Sequence, residues 1–407
     1  MKKIIAFLCV FMYFMSPYRM LGHEMPEVVG LLALFLVFLR LKNVAFLRGY
    51  GVFMAYMLII PPIISLFMGL PGNYLVSFMP VSLLFYSLMF IFLLPNLDWE
   101  YVLKFYRVLV YIAVGFFLLQ EVAYYTIGVR PTFYLPFEMY YTDTDVQSLA
   151  DSRAQMDRSS SFFLEPAHFA QYILPYYCIV VSRFIKERIN KWEFFILSFV
   201  LLILQSGSGY WGMLAILISL LLLPGYLSKK VKIGVLIGAF VLLCGVAVFL
   251  SNNPAVMEIL SRFDEISSLE VEAYGSQSGF LRIWRGYFIY GALEPICKFF
   301  GIGVGSIEYA ANLIYIPGSR YDGSYMNGFQ TLLVTGGLVG TFLFFRFLFK
   351  SFKKTSAESI IVIICMISLF FIEHMLFTAK MFLFIVIAIA VSNDQNVFAK
   401  MRLKPNR

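Results

Sequence analysis

Apolar runs of about 17–25 residues recur along the whole chain, separated by short polar stretches. Runs of that length predict helices able to cross the hydrocarbon core of a bilayer, since a helix satisfies its own backbone polar groups there. About twelve such spans are expected, at 4–18, 28–39, 50–70, 74–94, 105–127, 162–183, 193–205, 210–227, 231–251, 325–347, 359–377 and 381–392. The fold class is therefore an all-α polytopic membrane protein. Its segments are N-terminal transmembrane helices (1–127), a first outer loop (128–161) and middle helices (162–251). A large, partly helical outer loop (252–324), C-terminal helices (325–392) and a tail (393–407) follow. Loops as long as the two outer ones are uncommon in compact proteins and often carry function.

Composition supports this picture. The chain has 407 residues, 60% hydrophobic and 14% charged, against ~25% charged in a typical soluble domain. Lys2 and Lys3 precede the first apolar run, but no small-x-small cleavage site follows it, so an uncleaved first helix is expected. With the N-terminus inside, most of the 32 lysines and arginines fall on the inner side and most of the 24 acids on the outer side. The positive-inside rule then puts both termini in the cytoplasm. The net charge of +8 sits in short loops and implies no nucleic-acid partner. Of the five cysteines, four lie in apolar runs and Cys297 in an outer loop, so neither a loop disulfide nor a zinc site is expected.

The outer side carries the chemistry. Arg158-Ser-Ser-Ser-Phe-Phe-Leu-Glu165-Pro166 runs from a polar loop into an apolar helix and leaves Glu165 and His168 at the membrane rim. Acids near hydrocarbon are costly and are functional candidates. Pro166 suits a first helical turn and a preceding serine suits a cap. Arg282 and Arg285 are three apart, a spacing that puts both guanidinium groups on one helix face, suited to a diphosphate. A helix is expected over 280–300, within a small cap above the membrane. The turn from Phe300 to Ser306 follows no strand, so it is no dinucleotide loop but a place where backbone approaches closely. Arg320, Asp322, Tyr325 and Asn327 precede the tenth span and suit either a rim ion pair or sugar hydroxyls. Gly336 and Gly340 have the four-residue spacing of close helix packing. Glu373, His374 and Lys380 suit a simple rim pair.

These three blocks, in this order, resemble the Wzy-type O-antigen polymerase and O-antigen ligase superfamily of bacterial envelopes. Arg158 to Pro166 is similar to the family's Arg-x-x-Gly-x-Phe-x-Glu-Pro, with Ser161 at the glycine position. Arg282, Trp284 and the glycine turn stand in the large loop, and Asp322 to Asn327 leads into the helix with Gly336, Gly337 and Gly340. No histidine stands in this third block, unlike the ligase branch. The resemblance implies a metal-independent, cofactor-free glycosyltransferase. It would join polyprenyl-diphosphate-linked oligosaccharide units on the outer face of the membrane, in contact with membrane lipid and with room for a chain-length regulator as partner. Arg158, Glu165, His168 and Arg282 would be catalytic; Arg285, Arg320, Asp322 and Tyr325 would bind substrate. The rival readings are a ligase moving glycan onto lipid A-core or protein, a lipid-linked oligosaccharide flippase, and a structural envelope subunit.

Overall fold

A computed structural model describes residues 1–20, 23–39, 44–72, 78–132, 135, 137–139, 158–234, 284–311, 313, 326–392 and 398–400. It is mostly helical. The first half contains α1 (Lys2–Phe14), α2 (Met25–Phe38), α3 (Tyr50–Phe67), α4 (Phe78–Leu88) and α5 (Trp99–Ile127), then α6 (Pro166–Glu187), α7 (Lys191–Ile203) and α8 (Gly207–Leu222). The second half contains α9 (Arg285–Ala292), α10 (Pro295–Phe300), α11 (Ile307–Ala311), α12 (Gly328–Phe352), α13 (Ala357–Phe370) and α14 (Ala379–Ser392). A helix overlaps each expected apolar run; of 231–251 only residues 231–234, which are helical, lie within the described residues. Among the described residues, four helical stretches are long and apolar enough to cross a membrane: Tyr50–Phe67, Met79–Asn96, Trp99–Ile127 and Gly328–Phe352. Shorter apolar helices stand among them.

Burial sorts these helices. α14 is apolar all round and buried along almost its whole length, as a central helix should be. α6 is buried from Phe169 to Ser182. The α2, α3, α5 and α7 helices instead present Leu31, Phe35, Ile59, Leu66, Val122, Tyr125, Phe195 and Phe199 outward. An apolar outer face on a helical assembly is what a lipid solvent requires. Aromatic packing holds α1, α5 and α6 together: Tyr13, Phe163 and Tyr172 pack ring to ring, and Phe117 meets Phe169.

Two small sheets pin the helix ends. β1 (Tyr18–Met20) pairs antiparallel with β2 (His23–Glu24) and with β4 (Glu138–Met139), so Arg19 stands opposite both Glu24 and Glu138. β3 (Ala45–Leu47) pairs with β5 (Phe398–Lys400). The first sheet directly precedes α2 and the second follows it, so they mark its two ends. Lys3 lies over the Tyr101 ring, which sets the N-terminus beside the start of α5.

Residues 285–306 do not form a cap standing above the helices, and no single helix covers 280–300. The helix starts at Arg285 and breaks at Leu293–Pro295, where proline cannot continue the hydrogen-bond ladder. The glycine turn then lies alongside the middle of α12. Gly337 breaks α12 there, with φ 64° and ψ −168°. The carbonyls freed by that break find new donors: Ile302 N–H reaches Val334 O at 3.2 Å, Gly303 N–H reaches Thr335 O at 2.8 Å, and the Tyr56 hydroxyl reaches Gly336 O at 3.1 Å. Backbone that leaves the helix at membrane depth must be satisfied in this way. Gly336 and Gly340 do meet Met57 and Tyr56 of α3, as the packing pattern predicts. The same arrangement buries Cys297.

Candidate functional site

The first motif is a strap that descends along α5 before α6 begins. Its upper part lies against the end of α5, where Ser159 Oγ accepts from Arg130 Nε at 3.0 Å. Two residues later the Ser161 hydroxyl donates to Ala113 O at 2.7 Å. Ala113 is eight residues below Glu121, about 12 Å along a helix. The start of α6 is therefore set well below the end of α5. Ser161 has φ 57°, the left-handed region that favours glycine, which gives a physical reason for glycine at this place in the motif.

Arg158 is half-buried, and its Nη1 donates to Gln205 O at 2.9 Å. That bond ties the strap to the link between α7 and α8. Pro166 takes the first helical position, as the sequence predicts. The cap is Glu165 and not a serine: Ser160 donates to Phe163 O instead. The Glu165 carbonyl receives His168 N–H and Phe169 N–H. Glu165 and His168 are both half-buried. The helix N-terminus favours an anion at Glu165.

Below this rim a chain of buried polar groups joins four segments. Tyr13 of α1 donates to His168 O at 3.0 Å and to Gln171 Oε1 at 3.3 Å. Gln171 Nε2 reaches Ser208 Oγ of α8 at 3.4 Å, and the Ser208 hydroxyl donates to Glu373 Oε1 at 2.5 Å. Glu373 is 4% exposed. It is a buried carboxylate with a hydroxyl donor, the condition under which burying such a group is tolerable.

The turn carrying Glu373 also anchors α12. Gly328 N–H donates to Glu373 O at 2.8 Å, Asn327 Nδ2 donates to Phe371 O at 2.7 Å, and His374 Nδ1 donates to Met326 O at 3.2 Å. Asn327 and Gln330 form a reciprocal capping box. Arg285 is buried at the start of α9, not displayed on an outer face. Its neighbour Gly286 lies so close to Gln330 that a Cβ would sit 2.4 Å from that side chain. The second and third blocks therefore meet at the start of α12, and the Glu373 turn links them to the first. Arg282, Arg320, Asp322 and Tyr325 lie outside the described residues.

Sequence reasoning missed Arg130, Gln120 and Ser208 and undervalued Glu373. An acid inside an otherwise apolar run was the available signal for Glu373. Among the described residues, no three His, Cys, Asp or Glu side chains gather to hold a metal ion. No family model matches this chain, and no curated protein is significantly similar to it.

Proposed function

We propose that the chain crosses the bacterial inner membrane about twelve times, with both termini cytoplasmic, and polymerises lipid-linked oligosaccharide units on the outer face. One observation supports this reading: Arg158 bonds the Gln205 carbonyl while Ser208, three residues on, bonds the buried Glu373, so a cation and an acid flank the link between α7 and α8, and Glu165 caps the helix that follows Arg158. A cation with nearby acids suits a substrate that carries a diphosphate and a sugar. This clustering favours chemistry at one place over passage of a solute through the bundle.

In the proposed reaction an acceptor sugar hydroxyl attacks the anomeric carbon of the growing glycan. The new carbon–oxygen bond forms as the bond to the diphosphate breaks, and polyprenyl diphosphate leaves. Arg158 neutralises charge developing on the leaving group, with Arg282 as its partner from the large outer loop. The acceptor proton passes to a carboxylate, Glu165 at the rim, while Glu373 and Ser208 fix the floor beneath it. Arg285 supports the start of α12 from within. In cells that make the repeat unit, deletion of this protein should leave a single lipid-linked unit and no glycan ladder. A normal ladder, or units trapped on the inner leaflet as a transporter defect would leave them, contradicts the proposal. A reporter active only outside the membrane, fused near Ser268, should be active; silence there contradicts the topology.

A further inference from the structure

We infer that Gln120 and Arg130 are positioning residues that clamp the Arg158–Ser161 strap to the end of α5. This rests on the strap being part of the proposed site, but the clamp itself is visible in the geometry. Gln120 is 4% exposed and reads both backbone groups of one residue. Its Oε1 accepts from Ser161 N–H at 2.8 Å, and its Nε2 donates to Ser161 O at 3.3 Å. The same Nε2 donates to Pro131 O at 2.9 Å, so one amide joins the strap to the segment that follows α5. Only a carboxamide supplies a donor and an acceptor in this fork.

Arg130 closes the clamp from above. It is 6% exposed and its guanidinium lies 3.5 Å from the centre of the Tyr124 ring. Its Nε donates to Ser159 Oγ and stands 3.9 Å from Glu121 Oε1. Gln120, Glu121 and Tyr124 all belong to the last turns of α5, so the helix carries a prepared polar end. The neighbour of the gripped residues is Arg158, whose guanidinium is anchored to Gln205 O in the link between α7 and α8. The strap is thus held by α5 at Ser159 and Ser161 and by that link at Arg158. Ser161 accepts a left-handed backbone conformation in this arrangement, at a cost that its bonds to Gln120 and Ala113 offset.

The test does not depend on the reaction. In the full chain with its five cysteines replaced, Arg158→Cys carries a nitroxide label in lipid nanodiscs. A second label at Ile189, far from the strap in sequence and on another helix end, serves as control. The label at 158 should give a broad, immobilised spectrum. Gln120→Leu should shift it to a narrow, mobile one and leave the Ile189 label unchanged. Should Gln120→Leu fail to insert, Arg130→Gln, which removes the stacking and the guanidinium bond to Ser159, carries the same comparison. An unchanged spectrum at 158 overturns the clamp, and equal loosening at both labels reduces Gln120 to general stability. In the unlabelled protein, Gln120→Leu should lower turnover by about 100-fold, the scale of a misplaced catalytic group, with assembly intact. Mobility without any turnover in the parent protein would sink the polymerase reading and leave the clamp standing.

Discussion

Gly337→Ala should be among the most damaging small substitutions in this chain. Gly337 occupies a backbone region that is essentially glycine-only, and a Cβ there would meet Gly301 N and Phe299 O, each at 2.5 Å. Both are backbone atoms, so no side chain can swing away. Adopting this conformation costs an L-residue about 1–3 kcal/mol. Pushing the glycine turn aside also breaks the bonds from Ile302 and Gly303 to Val334 and Thr335. Buried groups left unsatisfied cost about 1–3 kcal/mol each. Losing one of the two bonds leaves a donor and an acceptor unsatisfied, so the total is about 3–9 kcal/mol. Gly340→Ala is the internal comparison: its nearest neighbour is the tip of the Tyr56 ring at 3.1 Å, which can yield by tenths of an ångström. Gly115→Ala meets nothing within 4 Å and should be neutral or slightly stabilising. The assay is loss of monodisperse protein on heating in detergent. The expected order of stability is Gly115→Ala, then Gly340→Ala, then Gly337→Ala by a wide margin. A Gly337→Ala protein as stable as the Gly340 variant would refute the broken-helix account.

Arg158→Ala should lose about 100-fold or more in glycan chain formation with normal insertion, and Arg158→Lys should recover little of it, since an ammonium lacks the fork; ladder analysis with membrane quantification checks this. Glu165→Gln should lose turnover but keep binding of lipid-linked substrate, whereas Glu373→Gln, which alters the floor, should lower stability as well; paired binding and melting measurements separate the two.

The helices were legible because hydropathy is a local signal. Runs such as 50–70 and 381–392 needed no partner to declare themselves, and α3 and α14 stand almost where expected. The polar contacts that build the site are not local. Ser208 finds Glu373 across 165 positions, and Gln120 finds Ser161 across 41, so neither pair leaves a periodic trace. The serine run before Pro166 looked like a cap because serine suits that role, but Ser161 is turned away to Ala113 and Glu165 takes the capping position. Gly336, Gly337 and Gly340 carried two messages in one pattern. Gly336 and Gly340 permit close packing on α3, while Gly337 breaks its helix, and spacing alone cannot tell the two apart.

Arg158, Glu165 and their buried support are proposed to form one catalytic site for joining lipid-linked glycan units. The test is purified protein in liposomes, supplied with its polyprenyl-diphosphate-linked repeat unit and no other protein, nucleotide or metal. Polyprenyl diphosphate should be released in step with growth of glycan by whole repeat units, both absent with Arg158→Ala. Release without growth, or growth unaffected by Arg158→Ala, would contradict it.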